Sequence, residues 1–249
     1  MRIILFAKRN TKEILRDPIN LFFGLGFPLI LLVLLSVINA SIPPEANNPM
    51  FSIENLAPGL AMFGTAFMAL FTGMLVSKDR TSSFLMRLFA SPMTSFDFIL
   101  GYTLPIFVMS LVHAAITLLA SCVVGLELTV NLLFAILVTM LTSLLFVGFG
   151  LLFGSLLNDK AVGGICGALL TNVAGWLSGV FIPIDLIGGA FKKAADILPF
   201  YHSVQAIKAT LSGNFIEILP HLIIVLGYTI VIFILAIIVF HRKMSGDKA

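Results

Sequence analysis

Six long apolar runs divide the chain, at about residues 21–41, 56–76, 98–124, 131–157, 162–183 and 220–241, with short polar segments between them. A helix rises about 1.5 Å per residue, so about 20 apolar residues cross a hydrocarbon core about 30 Å thick. Each run is long enough, and the pattern predicts six transmembrane helices. Residues 1–18 carry a different period. On a helical wheel Ile3, Ile4, Ala7, Thr11, Ile14, Leu15 and Pro18 fall on one side, and Arg2, Lys8, Arg9, Lys12, Glu13 and Arg16 on the other. This predicts an amphipathic helix lying at a membrane surface, its basic side toward anionic headgroups. Leu5 and Phe6 depart from the pattern and are expected to dip into lipid or touch a neighbouring helix. Asp17-Pro18 should end this helix and turn the chain into the bilayer, because the residue before proline is pushed out of the α region.

The expected fold is an all-α integral membrane protein, with residues 1–249 forming one membrane domain: the polar segments leave no room for a folded soluble one. The first run is longer than the about 7–15 apolar residues of a secretory signal, so it is expected to be retained as a span. Composition agrees, since 59% of residues are hydrophobic and 11% charged, where soluble domains carry about 25% charged residues. Charge placement sets an orientation. Most of the 15 Lys and Arg residues fall before the first run, in the segment 78–92, at Lys160 and in the tail, while the alternate side holds Lys192, Lys193 and Lys208. Positive charge is retained on the cytoplasmic side, so both termini are expected there.

The fifth run meets Pro183 and continues as a half-apolar stretch over 184–219. A glycine-rich span broken by proline is tolerated where protein or a water-lined cavity satisfies the freed backbone, which predicts a re-entrant outer piece. Gly150 to Gly154 and Gly175 to Gly179 are small-xxx-small patterns that allow close helix approach, within one chain or between protomers.

Candidate chemistry is sparse. No Asp or Glu lies mid-span, Glu127 and Asp185 coming closest, which argues against coupling to protons or sodium. His113, midway along the third run, reads first as a neutral helix-packing group with Ser110 or Thr117 as company, and second as a proton relay. No G-x-x-x-x-G-K-[ST] phosphate loop occurs, so ATP hydrolysis would fall to a partner. His202 and His221 are not at metal-ligand spacing, and Cys122 and Cys166 read as small core residues. No catalytic, cofactor-binding or metal-binding residue is expected, and the chain is not expected to be an enzyme. The segment 78–92 is apolar for a loop. If its middle is helical, Phe84, Leu85, Leu88 and Phe89 share a face flanked by Arg80 and Arg87. Such a face suits a helix-in-groove contact with a partner, or rest on the membrane interface.

Taken in order, these features resemble the permease subunits of type-2 ABC transporters. The run Lys78-Asp79-Arg80-Thr81-Ser82-Ser83-Phe84-Leu85-Met86-Arg87-Leu88-Phe89-Ala90-Ser91-Pro92 stands where that family has a Gly-Thr-Leu-Glu-x-Leu-Leu-x-x-Pro loop. Ser82-Ser83 replaces its Gly-Thr, and Met86-Arg87 its acidic position. Ser178-Gly179-Val180-Phe181-Ile182-Pro183 matches its late Ser-Gly-x-x-x-Pro, and Leu198-Pro199 followed by Ile207-Lys208 its Leu-Pro and Ile-Arg. The resemblance covers essentially the whole chain. It implies a coupling helix docking on a separate ATP-binding subunit through Arg80, Phe84, Leu85, Arg87, Leu88, Phe89 and Pro92, with ATP and Mg held by that partner. It further implies two permease chains, as a homodimer, with two ATPase copies in a prokaryotic cell membrane. Phe181, Pro183 and Pro199 would form an outer gate, and His113, Asn172 and Trp176 would border the substrate path. Arg16-Asp17-Pro18 is similar to the turn of drug and antibiotic exporters, which implies efflux of a hydrophobic or amphiphilic drug, antibiotic, peptide or lipid. Three other readings remain open on the sequence: a polysaccharide or glycolipid exporter, a carrier working alone through His113, and a membrane anchor that only recruits a partner.

Overall fold

The computed structural model describes residues 2–43, 51–82, 84 and 93–246. Its elements are helices, with no strand among the described residues. A surface helix α1 (Arg2–Leu15) is followed by α2 (Pro18–Ser41), α3 (Ile53–Thr81), α4 (Ser95–Val123), α5 (Asn131–Leu156) and α6 (Asp159–Leu177). Three short helices come next, α7 (Ile184–Ile187), α8 (Gly189–Ile197) and α9 (Pro199–Leu211), and α10 (Phe215–Gly246) closes the chain. Helices α2 to α6 and α10 are the six long and apolar enough to cross a membrane.

Local chemistry sets the helix starts. Asp17 caps α2, accepting from the Asn20 N–H at 3.1 Å, and Pro18 at the first position needs no partner for a missing N–H. Thr94 and Asp97 form a reciprocal capping box at the start of α4. Asn158 accepts from the Ala161 N–H at 3.0 Å at the start of α6. The end of α6 differs from expectation. It falls at Leu177, well before Pro183, where Gly179 takes a φ of +83°. A glycine in the left-handed region, open to it for lack of a Cβ, follows the end of this span. The stretch 184–219 is itself helical, and α9 packs against α3, α5 and α10.

Helix α3 is the central pillar, buried along most of its length, whereas α2 and α10 keep broad apolar faces exposed, including Ile30, Val33 and Val37 on one and Ile223, Ile230 and Ile234 on the other. The seam between α3 and α5 explains the first glycine pair. A Cβ at Gly150 would lie 2.5 Å from the Ala69 carbonyl oxygen, and one at Gly154 would lie 2.7 Å from that of Gly73. The pair therefore serves packing within the chain. Gly175 likewise lies under the Phe181 ring, and Gly179 under Ile184.

Two expectations for the polar segments change. The docked face of α1 is Phe6, Asn10 and Ile14, while Ile4, Leu5 and Leu15 are exposed. The face is chosen by partners as much as by polarity, because a buried polar group is tolerated once it is hydrogen-bonded. Helix α3 also runs to Thr81, so Lys78, Asp79 and Arg80 continue the span instead of opening a loop.

Candidate functional site

The site is built where α1 crosses the end of α3 and the start of α4. Asp79, on the last turns of α3, is 2% exposed. The Arg9 guanidinium from α1 grips it with two N–H donors, the Nη2 to Oδ1 distance being 2.7 Å, and the Tyr102 hydroxyl from α4 donates at 3.0 Å. Arg9 also pairs with Glu13 one turn on, at 3.2 Å. Next to it, Asn10 accepts from Arg9 Nη1 at 2.9 Å and donates from Nδ2 to the Gly101 carbonyl at 2.9 Å. Arg9 is only partly covered. Burial pulls its guanidinium down, but the hydrogen bond and charge of Asp79, with Glu13 behind them, hold it above its ordinary value.

Aromatic packing fixes the crossing. Phe6 meets Phe98 edge-on at 5.6 Å and Tyr102 at 4.9 Å. The ring fits because position 101 has no side chain; a Cβ there would lie 2.2 Å from Phe6. A second ion pair, Lys78 to Asp17 at 3.6 Å, ties α3 to the turn between α1 and α2. Arg80 donates to the Leu157 carbonyl at 2.6 Å, reaching the end of α5. Phe84 follows, and its ring lies 4.4 Å beneath the Arg9 guanidinium carbon, a distance at which a cation is attracted by the ring face. Of the residues expected in the coupling segment, Phe84 is thus brought to Arg9, while Arg80 is held by the end of α5. Leu85, Arg87, Leu88, Phe89 and Pro92 lie outside the described residues.

The other expected residues are spread over the bundle. His113 is fully buried, with Nε2 3.0 Å from the Ala61 carbonyl of α3 and Nδ1 3.5 Å from the Thr117 hydroxyl. It fills a notch at Gly64, where a Cβ would come 2.0 Å from the ring. Ser110 instead accepts from Ser143 of α5 at 2.8 Å. Asn172 and Trp176 stand exposed on α6 and share no hydrogen bond or ring contact with His113 among the described residues. Phe181 packs edge-on against Phe63 at 5.0 Å, Pro183 caps α7, and Pro199 opens α9. His202 and His221, set aside on spacing, are brought together across the α9–α10 junction with their Nδ1 atoms 2.8 Å apart. Spacing along one element says nothing about ligands or partners from two.

The Arg9–Asp79 pair was missed from sequence because its partners lie far apart in the chain and each has an ordinary surface reading alone. The one signal was Asp79 itself, a carboxylate within a turn of a long apolar run.

A helical bundle with six helices long and apolar enough to cross a membrane, and a further helix clamped to two of them, is a multi-pass membrane protein. The family model described as ABC-2 type transporter matches residues 1–212, and the chain belongs to that family, as a multi-pass permease. No curated protein matches the chain.

Proposed function

We propose that the chain is the membrane subunit of an ATP-driven exporter, paired with a second permease chain and powered by two copies of a separate ATPase that holds ATP and Mg. The observation that carries this reading is the position of Arg9. It contacts Phe84 in the 78–92 segment, and through Asp79 and Tyr102 it grips the end of α3 and the start of α4. A partner pulling on that segment from the cytosolic side would pull on two spans and the surface helix together. Closure of the ATPases on ATP supplies the differential affinity that any such population shift requires.

The substrate is read as hydrophobic or amphiphilic. No charged side chain lies at mid-span, and the exposed face of α6 offers Leu169, Asn172 and Trp176. Polar side chains within spans mostly avoid lipid, which favours a second chain or the substrate path opposite Asn172. Phe181, Pro183 and Pro199 are assigned to the outer gate.

The test is isolation of the tagged chain from native membranes with identification of what accompanies it. An ATP-binding subunit that is present with the wild type and lost with Leu88→Asp supports the reading. A chain that arrives alone and still moves substrate in proteoliposomes refutes it.

A further inference from the structure

The histidine pair at the other end of the bundle has no part in the reading above. His202, on α9, is 8% exposed, and His221, on α10, is half-buried. Their Nδ1 atoms lie 2.8 Å apart with ring centroids at 5.1 Å, and His202 Nε2 lies 2.8 Å from the Asp196 carbonyl oxygen of α8. A carbonyl only accepts, so His202 carries its proton on Nε2 and presents a lone pair at Nδ1. Two bare lone pairs cannot face each other at that distance. His221 therefore carries its proton on Nδ1, leaving its own Nε2 bare. The result is a relay of donors running from α10 through α9 to α8, and the Tyr228 hydroxyl of α10 adds a parallel bond to the Ile197 carbonyl at 3.0 Å.

We propose that His202 and His221 are positioning residues that hold the α8–α9 elbow against α10, and that they release it when both rings are protonated. The proposal rests on the permease reading, in which Pro199 at the head of α9 borders the gate. A first proton can sit on His221 Nε2 and leaves the contact intact. A second must sit on His202 Nδ1, where it removes the acceptor and sets N–H against N–H between two like charges. Glu217, one turn before His221 on α10, is the carboxylate whose charge acts on it. Helix α8 contributes the exposed Asp196, Lys192 and Lys193, and α9 contributes Tyr201, edge-on to His202, and Lys208, which is bonded to Asn55. Helix α5 carries no ionisable side chain, and α3 brings Glu54 at its first turn.

The decisive measurement is the nitrogen-15 spectrum of the histidine rings in the full chain, reconstituted in lipid nanodiscs at neutral pH. We expect His202 as the Nε2–H tautomer and His221 as the rarer Nδ1–H tautomer, with His221 reverting in His202→Phe. Both rings as Nε2–H would overturn the proposal. On acidification the signature should vanish together with hydrogen-exchange protection of α9; protection independent of pH would overturn the release. His221→Leu should lower ATP-driven transport about fivefold, the weight of one net hydrogen bond. His221→Asn, which keeps a donor facing His202, should restore it, with ATPase co-purification unchanged in both. Wild-type transport in His221→Leu would refute the positioning role. Should no ATPase accompany the wild type, the permease reading fails, while the tautomer spectrum still decides the pair.

Discussion

Substituting Arg9 by Met tests the clamp most directly, because the two partners differ in what their loss leaves behind. Asp79 is 3% exposed at its side chain and Arg9 is 31% exposed. Without Arg9, the carboxylate keeps the Tyr102 hydroxyl as its one remaining partner among the described residues and stays buried. Removing one partner of a buried ion pair costs about 3–5 kcal/mol, most of it from the charge left uncompensated. Without the Asp79 charge, as in Asp79→Asn, the amide oxygen still accepts from Tyr102. Arg9 keeps Glu13 and has a path to water, so a loss of about 1–2 kcal/mol is expected, in the range of one charge-assisted hydrogen bond. The double variant removes the charge imbalance and should recover most of the difference, leaving a coupling free energy of about 3 kcal/mol. Thermal unfolding of the purified chain in nanodiscs reads this as a shift on the order of 10 °C for Arg9→Met, at about 2–4 °C per kcal/mol. If Arg9→Met were no more harmful than Asp79→Asn, or the double variant no better than Arg9→Met, the pair would not be the buried clamp described.

Gly101→Ala should detach α1, since its new methyl enters the Phe6 ring; faster hydrogen exchange confined to α1 and the start of α4 is expected, and unchanged exchange would argue against the crossing. Gly150→Ala should be harsher, because the neighbour it meets is the Ala69 backbone, which cannot turn aside; a yield of folded protein equal to wild type would contradict the seam. Thr94→Ala removes the capping box and should cost about 1 kcal/mol, checked by thermal unfolding. His113→Gln keeps a donor for the Ala61 carbonyl and should leave transport intact; its abolition with normal folding would favour the proton-relay reading.

The six spans were legible because apolar runs of this length have one stable arrangement in a bilayer, and α1 was legible from its period. Its docked face was not. The wheel placed Arg9 outward and left Asn10 unassigned, since polarity alone cannot anticipate a Gly101 carbonyl and an Asp79 carboxylate waiting on other helices. Pro183 was the visible breaker in the fifth run, yet the helix ends earlier, at a glycine whose positive φ leaves no trace in composition. His202 and His221 were set aside on spacing, which cannot show a contact that spans two elements. His113 meets a backbone carbonyl of α3 and the Thr117 hydroxyl; the carbonyl could not be foreseen from the residues beside it in the sequence.

The glycine seam between α3 and α5 bears on how the bundle can change shape. Packed interfaces switch when side chains find a second way to interdigitate. Where Gly73, Gly150 and Gly154 bring backbone against backbone, with only the β-branched Thr72 and Val76 beside them, few side chains stand between the helices to be reshuffled, which favours one arrangement of that contact. Helices α3 and α5 are therefore expected to move as one rigid keel, so that a pull on the end of α3 would carry α5 with it.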